Sequence, residues 1–149
     1  MISEIDLEGV AVLLKPWSAE TNTPQANRLD VVIGAADLVT AVAALRQAGW
    51  GYLAAITGLD LGVDAGRMEV LYHFCEGAAV LTLRVMIDRE TAVIPTLCNL
   101  IPSASFFERE LIEMFGITVE GTPNTDHLFL PDEWPEGVYP LRKDFQPNA

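Results

Sequence analysis

The 149 residues suit one domain with a substantial core, and a net charge of −12 argues against a nucleic-acid phosphate backbone or an anionic lipid surface as partner. Half the residues are hydrophobic and mean hydropathy is +0.27, high for a free-standing soluble domain, so part of the apolar surface is expected to face another protein. The two cysteines, Cys75 and Cys98, lack the close spacing of zinc or iron–sulfur ligands and read as small core residues in a reducing cytoplasm.

The first residues include Glu4 and Asp6, where a signal peptide carries basic residues, so export is not expected. Residues 10–14 form a short apolar run read as a strand, and residues 15–28, with Pro16, Asn22, Pro24 and Asn27, read as a loop. Residues 29–33 favour a strand. Leu38, Val42 and Leu45 recur at helical spacing, predicting a helix over 37–47 that stops at Gly49. The apolar run over 31–45 contains Asp37 and falls short of the ~20 residues of a membrane-spanning helix, so any membrane attachment is expected to come from another subunit.

Residues 52–57 suggest a buried strand, and Gly62, Asp64 and Gly66 a turn. Met68, Val70, Tyr72 and Phe74 alternate with polar residues, as do Leu81, Leu83, Val85 and Ile87, predicting two half-buried strands joined at Glu76-Gly77. Beyond Pro102 a second helix is expected, with Ser105 and Glu108 as a capping box, Phe107, Leu111, Met114 and Phe115 on one side, and Gly116 as its end. From Gly121 prolines alternate with aromatics and no regular element is expected. The pattern is α+β: a small mixed or antiparallel sheet with helices packed on one face, an α+β domain over 1–120, and an extended Pro-rich docking tail over 121–149.

No phosphate-binding loop, nucleophile elbow or metal-spaced histidine pair occurs, and His73 and His127 are isolated, so no catalytic residue, cofactor site or metal site is assigned. The charged cluster Glu108, Arg109, Glu110 and Glu113 has two readings. In one, Glu108 caps the helix, Glu110 complements its dipole and Arg109 pairs with Glu113. In the other, the cluster lies at a partner interface, where Arg109 forks onto a carboxylate. The tail favours the second: Trp134, Leu141 and Phe145 are apolar anchors stiffened by prolines, and Arg142, Lys143 and Asp144 form an ionic latch beside Phe145.

Glu108-Arg109-Glu110-Leu111-Ile112-Glu113-Met114-Phe115-Gly116-Ile117, then Leu130-Pro131-Asp132-Glu133-Trp134, then Tyr139-Pro140-Leu141-Arg142-Lys143-Asp144-Phe145, resemble the respiratory-chain NADH dehydrogenase 30 kDa subunit family of complex I. Residues 56–64 and Leu71-Tyr72-His73-Phe74 share the likeness more weakly. The resemblance implies a cofactor-free, non-catalytic subunit of the hydrophilic arm of a complex I-like NADH:quinone oxidoreductase. Such a subunit packs against the large quinone-site subunit, near iron–sulfur subunits, in a hetero-oligomer peripheral to the cytoplasmic face of the cell membrane. Related subunits occur in membrane-bound nickel–iron hydrogenases and formate hydrogenlyase. After Gly121 the family usually has a histidine and a basic pair; this chain has Thr122, Asn124, Thr125, Asp126 and His127, which keeps the hydrogenase-type assembly as the alternative.

Overall fold

The computed structural model describes residues 5–147, and among these it divides into two compact units, one of residues up to 56 with 71–86 and one of residues 57–70 with those from 87 onward. Its order is α1 (Leu7–Leu14), β1 (Ser18–Gln25), β2 (Arg28–Ile33), α2 (Leu38–Gln47), β3 (Tyr52–Asp60), β4 (Arg67–Glu76), β5 (Ala79–Asp88), β6 (Val93–Pro95), α3 (Ala104–Phe115) and β7 (Thr118–Glu120). The larger sheet runs β1-β2-β5-β4-β3. It is mixed, β1 pairing antiparallel with β2 and β2 parallel with β5, so the expected α+β class holds.

In the first unit, residues 10–14 are helix rather than strand. Asp6 caps α1, its side chain accepting from the Gly9 amide at 2.9 Å. Val10 and Leu14 are buried while Val12 is 72% exposed, which is the i, i+4 signature; a strand would have turned all three the same way. The predicted loop over 15–28 instead holds a 3-10 turn, Lys15–Trp17, and β1. Almost all of β1 is exposed, so it carries no apolar alternation, and as the outermost strand of the order it tolerates Pro24.

The register of β2 on β5 pairs Leu29 with Leu81, Val31 with Leu83 and Ile33 with Val85, all six buried. In α2 the buried residues are Leu38, Ala41, Val42 and Leu45, the spacing read from the sequence. The predicted hairpin forms, with Gly77 at φ +56° in the turn between β4 and β5. His73 sits beside Thr82 (Nδ1 to Oγ1 3.1 Å), and burial pushes its pKa down, consistent with a structural histidine.

In the second unit the turn after β3 closes through Leu61 N to Arg67 O (3.1 Å). Two short strands that the sequence did not signal, β6 and β7, pair in parallel through Ile94 and Val119. Three-residue strands are too short for periodicity to reveal. The third helix starts at Ala104, and Ser103 makes no side-chain cap. Ser105 therefore lies inside the helix, and the predicted capping box is absent. Gly116, at φ +71°, ends α3 in the left-handed region. From Gly121 to Pro147 no helix or strand forms.

Candidate functional site

Four of the charged residues singled out by sequence, Glu108, Arg109, Glu110 and Glu113, lie on α3, and two of them, Glu108 and Glu113, are turned inward. Glu108 is buried. Its Oε1 accepts from Thr96 Oγ1 (2.6 Å), Thr122 Oγ1 (2.9 Å) and Cys98 Sγ (3.1 Å), and its Oε2 from the Leu97 amide (2.8 Å). Glu108 therefore ties α3 to residues 96–98 and to Thr122. Burial, aided by the neighbouring Glu108, pushes the Cys98 thiol up, which keeps it a donor.

Glu113 is also buried, and it does not pair with Arg109. Its Oε1 accepts from the Phe129 amide at 2.8 Å and its Oε2 from the Leu128 and Leu130 amides at 3.1 and 3.2 Å. A carboxylate that receives three successive amides fixes the backbone of a segment that has no secondary structure of its own. The Arg109 fork lands on the same segment from the other side of the donor–acceptor balance, Nε and Nη2 donating to the Asp126 and His127 carbonyls at 2.9 and 2.8 Å. Glu110 is half-buried in the second turn, beyond the reach expected of a helix-dipole contact.

The end of the chain is fastened in the same way. The Leu141 amide donates to the Met114 carbonyl (3.0 Å), and Arg142 Nε donates to the Phe115 carbonyl (2.7 Å) at the C-terminus of α3, where a cation is favoured. The Arg142 guanidinium carbon also stands 5.2 Å from the Tyr139 ring centre. Trp134 and Phe145 meet each other at 6.4 Å, and the Trp134 indole N–H donates to the Val138 carbonyl (2.8 Å). Asp144 accepts from Arg89 Nη2 at 2.9 Å, and the Lys143 amide, not its side chain, donates to Asp60 at 2.8 Å.

Sequence reading did not assign Asp60 and Arg89 to this site. Arg89 grips Asp60 through two bonds, Nε to Oδ1 at 2.8 Å and Nη2 to Oδ2 at 3.0 Å, with both side chains almost fully buried. The Arg89 hydrogen bond, opposed by burial, holds the Asp60 carboxyl well below the usual range. Asp60 carried a weak signal, lying two residues before Gly62, whose amide donates to it at 2.9 Å. Arg89 carried none.

On α3 and the segment fastened to it, Phe129 at 64%, Phe106 at 57% and Leu141 at 50% remain exposed. Tyr139 packs so closely on Gly116 that a Cβ there would sit 2.5 Å from a ring carbon. With positive φ added, Gly116→Ala is expected to cost about 2–4 kcal/mol in urea unfolding. A loss under about 0.5 kcal/mol, the level of an ordinary surface substitution, would mean that Tyr139 does not rest there.

Among the described residues no group of three or more His, Cys, Asp or Glu is placed to hold a metal, and no helix is long and apolar enough to cross a membrane.

The family described as "Respiratory-chain NADH dehydrogenase, 30 Kd subunit" matches residues 31–149. An NADH-quinone oxidoreductase subunit of Chloroherpeton thalassium is 38% identical over 98 residues, 64% of this chain and 39% of that protein. The membrane-bound hydrogenase subunit beta of Pyrococcus furiosus is 44% identical over 87 residues, 57% of this chain and 50% of that one. The matched segments thus span half or less of those two relatives. Among solved structures, a chain of the membrane-bound sulfane sulfur reductase, an archaeal respiratory membrane complex, superposes with a TM-score of 0.81 at 25% identity, covering 95% of this chain and 86% of that one. A trypsin-resistant fragment of Nqo5 gives 0.66 at 27% identity, covering 79% and 95%. The match through α3 and the segment fastened to it spans well over half the chain, so this protein belongs to the respiratory-chain NADH dehydrogenase 30 kDa subunit family.

Proposed function

We propose that this chain is a cofactor-free structural subunit of the hydrophilic arm of a complex I-like NADH:quinone oxidoreductase. It packs there against the large quinone-site subunit and close to iron–sulfur subunits, on the cytoplasmic face of the cell membrane. The observation that carries this reading is the family match across residues 31–149, which takes in both α3 and the segment that follows it. The geometry supports it: Glu108 and Glu113 organise the chain from inside, and Phe106, Phe129 and Leu141 are left as apolar contacts on a chain rich in surface charge. Residues 121–149 serve in this reading as the docking segment, with Arg109, Glu110, Trp134, Arg142, Lys143, Asp144 and Phe145 among the partner-binding residues.

A hydrogenase-type membrane complex is the second reading. It is favoured by the 44% identity to the hydrogenase subunit beta and by the closer superposition on the sulfane sulfur reductase chain. Purification of the complex through a tag on this chain separates the two. Flavin and NADH-oxidising subunits in the eluate support the first; nickel and hydrogen-dependent activity support the second. A tagged chain that elutes alone sinks both.

Arg109→Ala is expected to weaken incorporation into the complex while costing the isolated chain only about 1–2 kcal/mol, because its bonds to the Asp126 and His127 carbonyls are solvent-accessible. Native gels and urea titrations check the two halves of this statement. Unchanged incorporation would remove Arg109 from the assembly surface.

A further inference from the structure

A groove of about 340 Å³ lies wholly within the second unit, its lining including Ile112, Ile117, Leu130, Trp134, Tyr139 and the exposed Glu136. Glu113, His127 and Glu136 are its titratable lining residues, Arg142 stands 5.2 Å from the ring centre of the lining Tyr139, and the chain around the groove is rich in acids. Between Arg109 and Arg142 the chain has no lysine or arginine, but it has seven acids: Glu110, Glu113, Glu120, Asp126, Asp132, Glu133 and Glu136. Glu113 is buried on backbone amides; Glu120, Asp126, Asp132, Glu133 and Glu136 are exposed. The two bordering arginines point their Nε groups at carbonyls of this same unit, Arg109 at Asp126 and Arg142 at Phe115.

From this charge complementarity we infer that the groove receives an arginine or lysine side chain of a neighbouring subunit, one presented between apolar residues. The aliphatic stem lies along Ile112, Ile117 and Leu130, and the cationic head reaches Glu136 at the rim. Long basic side chains bury their methylenes on apolar surface while keeping the charge at a polar edge. An acidic side chain would meet repulsion from Glu136, and a wholly apolar one would leave that carboxylate desolvated without a partner. Trp134 is held for this role by its indole bond to Val138, so this part of the lining is formed before the partner arrives.

This inference rests on the subunit reading above, and its test is arranged so that the two can fail separately. A photo-cross-linking benzoylphenylalanine is placed at Val138, which lines the groove, in the full chain produced with its complex. Recovery of the wild-type chain with other subunits bears on the subunit reading; the cross-linked peptide bears on the groove. A peptide from another subunit, with lysine or arginine flanked by apolar residues at the cross-link, supports the inference. A peptide without a basic residue, a second copy of this chain, or no cross-link in an assembled complex overturns it. In parallel, Glu136→Arg is expected to lower incorporation about tenfold at low salt, with Asp64→Arg, an exposed acid outside the groove, leaving it unchanged. Equal incorporation of both variants also overturns it.

Discussion

Replacing Arg89 by methionine is expected to cost about 3–5 kcal/mol of unfolding free energy near neutral pH, the range for stripping one partner from a buried ion pair. Asp60 is left almost fully buried, with only the Gly62 and Lys143 amides as donors, and Asp144 loses its contact with the guanidinium. The pH dependence gives the result its signature. In the native chain the Asp60 carboxyl sits well below its ordinary 3.8. A depressed folded pKa means that this contribution is complete above about 3.8 and is lost only as pH falls below that toward the folded value.

Without Arg89, the burial that pushes Asp60 upward is opposed only by the Lys143 and Gly62 amides, and protonation in the folded state becomes easier. The deficit of the variant should therefore shrink in acid. Because ~3–5 kcal/mol is a large share of the stability of a small protein, the variant can be too unstable to titrate. The double variant Arg89→Met, Asp60→Asn then supplies the comparison, since it removes the stranded charge and should regain more than half of the loss. A deficit that is constant with pH and unrelieved by Asp60→Asn would show that the pair is not what holds this unit together.

The second large effect is expected at Glu108. Glu108→Ala removes the acceptor for the Leu97 amide, the Thr96 and Thr122 hydroxyls and the Cys98 thiol, and it opens a cavity at a buried position. Stranded donors and an unfilled cavity together predict a loss of about 3–5 kcal/mol in denaturant titrations. Glu108→Gln retains one carbonyl oxygen for the Leu97 amide, and the hydroxyls can rotate to accept from the new amide group, so about 1–2 kcal/mol is expected. If Glu108 were only a helix cap, the alanine variant would lose no more than about 1 kcal/mol, and the glutamine variant almost nothing. The measured ratio of the two decides between a cap and an interior anchor.

Local pattern alone does not separate these roles. Glu108 stands three residues after Ser105, so the spacing of a capping box is present in the chain; the helix begins earlier, at Ala104, and the side chain turns toward residues 96–98. Nothing within a few residues of Glu108 encodes Thr96 or Leu97 as partners. Similarly, Arg109 and Glu113 have the spacing of a helical ion pair, but each finds backbone groups 15–18 residues away that need a partner more than an exposed ion pair needs forming. The apolar run over 10–14 suits a strand and a helix equally, and the cap that makes it a helix, Asp6, lies outside the run.

What the amino-acid sequence determined by itself were the elements with a strong period and a clear end: α2 up to Gly49, the hairpin of β4 and β5, the close of α3 at Gly116, and the motif residues by which the family could be named. These rest on short-range physics, alternation or helical spacing plus a glycine that accepts positive φ. Tertiary structure alone decided that Glu108 and Glu113 are interior acceptors, that Asp60 and Arg89 pair and reach Asp144, and that residues 121–147 are fastened along α3 without a strand or helix of their own. A buried polar group must be paired with whatever donor folding brings to it, and for these residues that donor lies far along the chain.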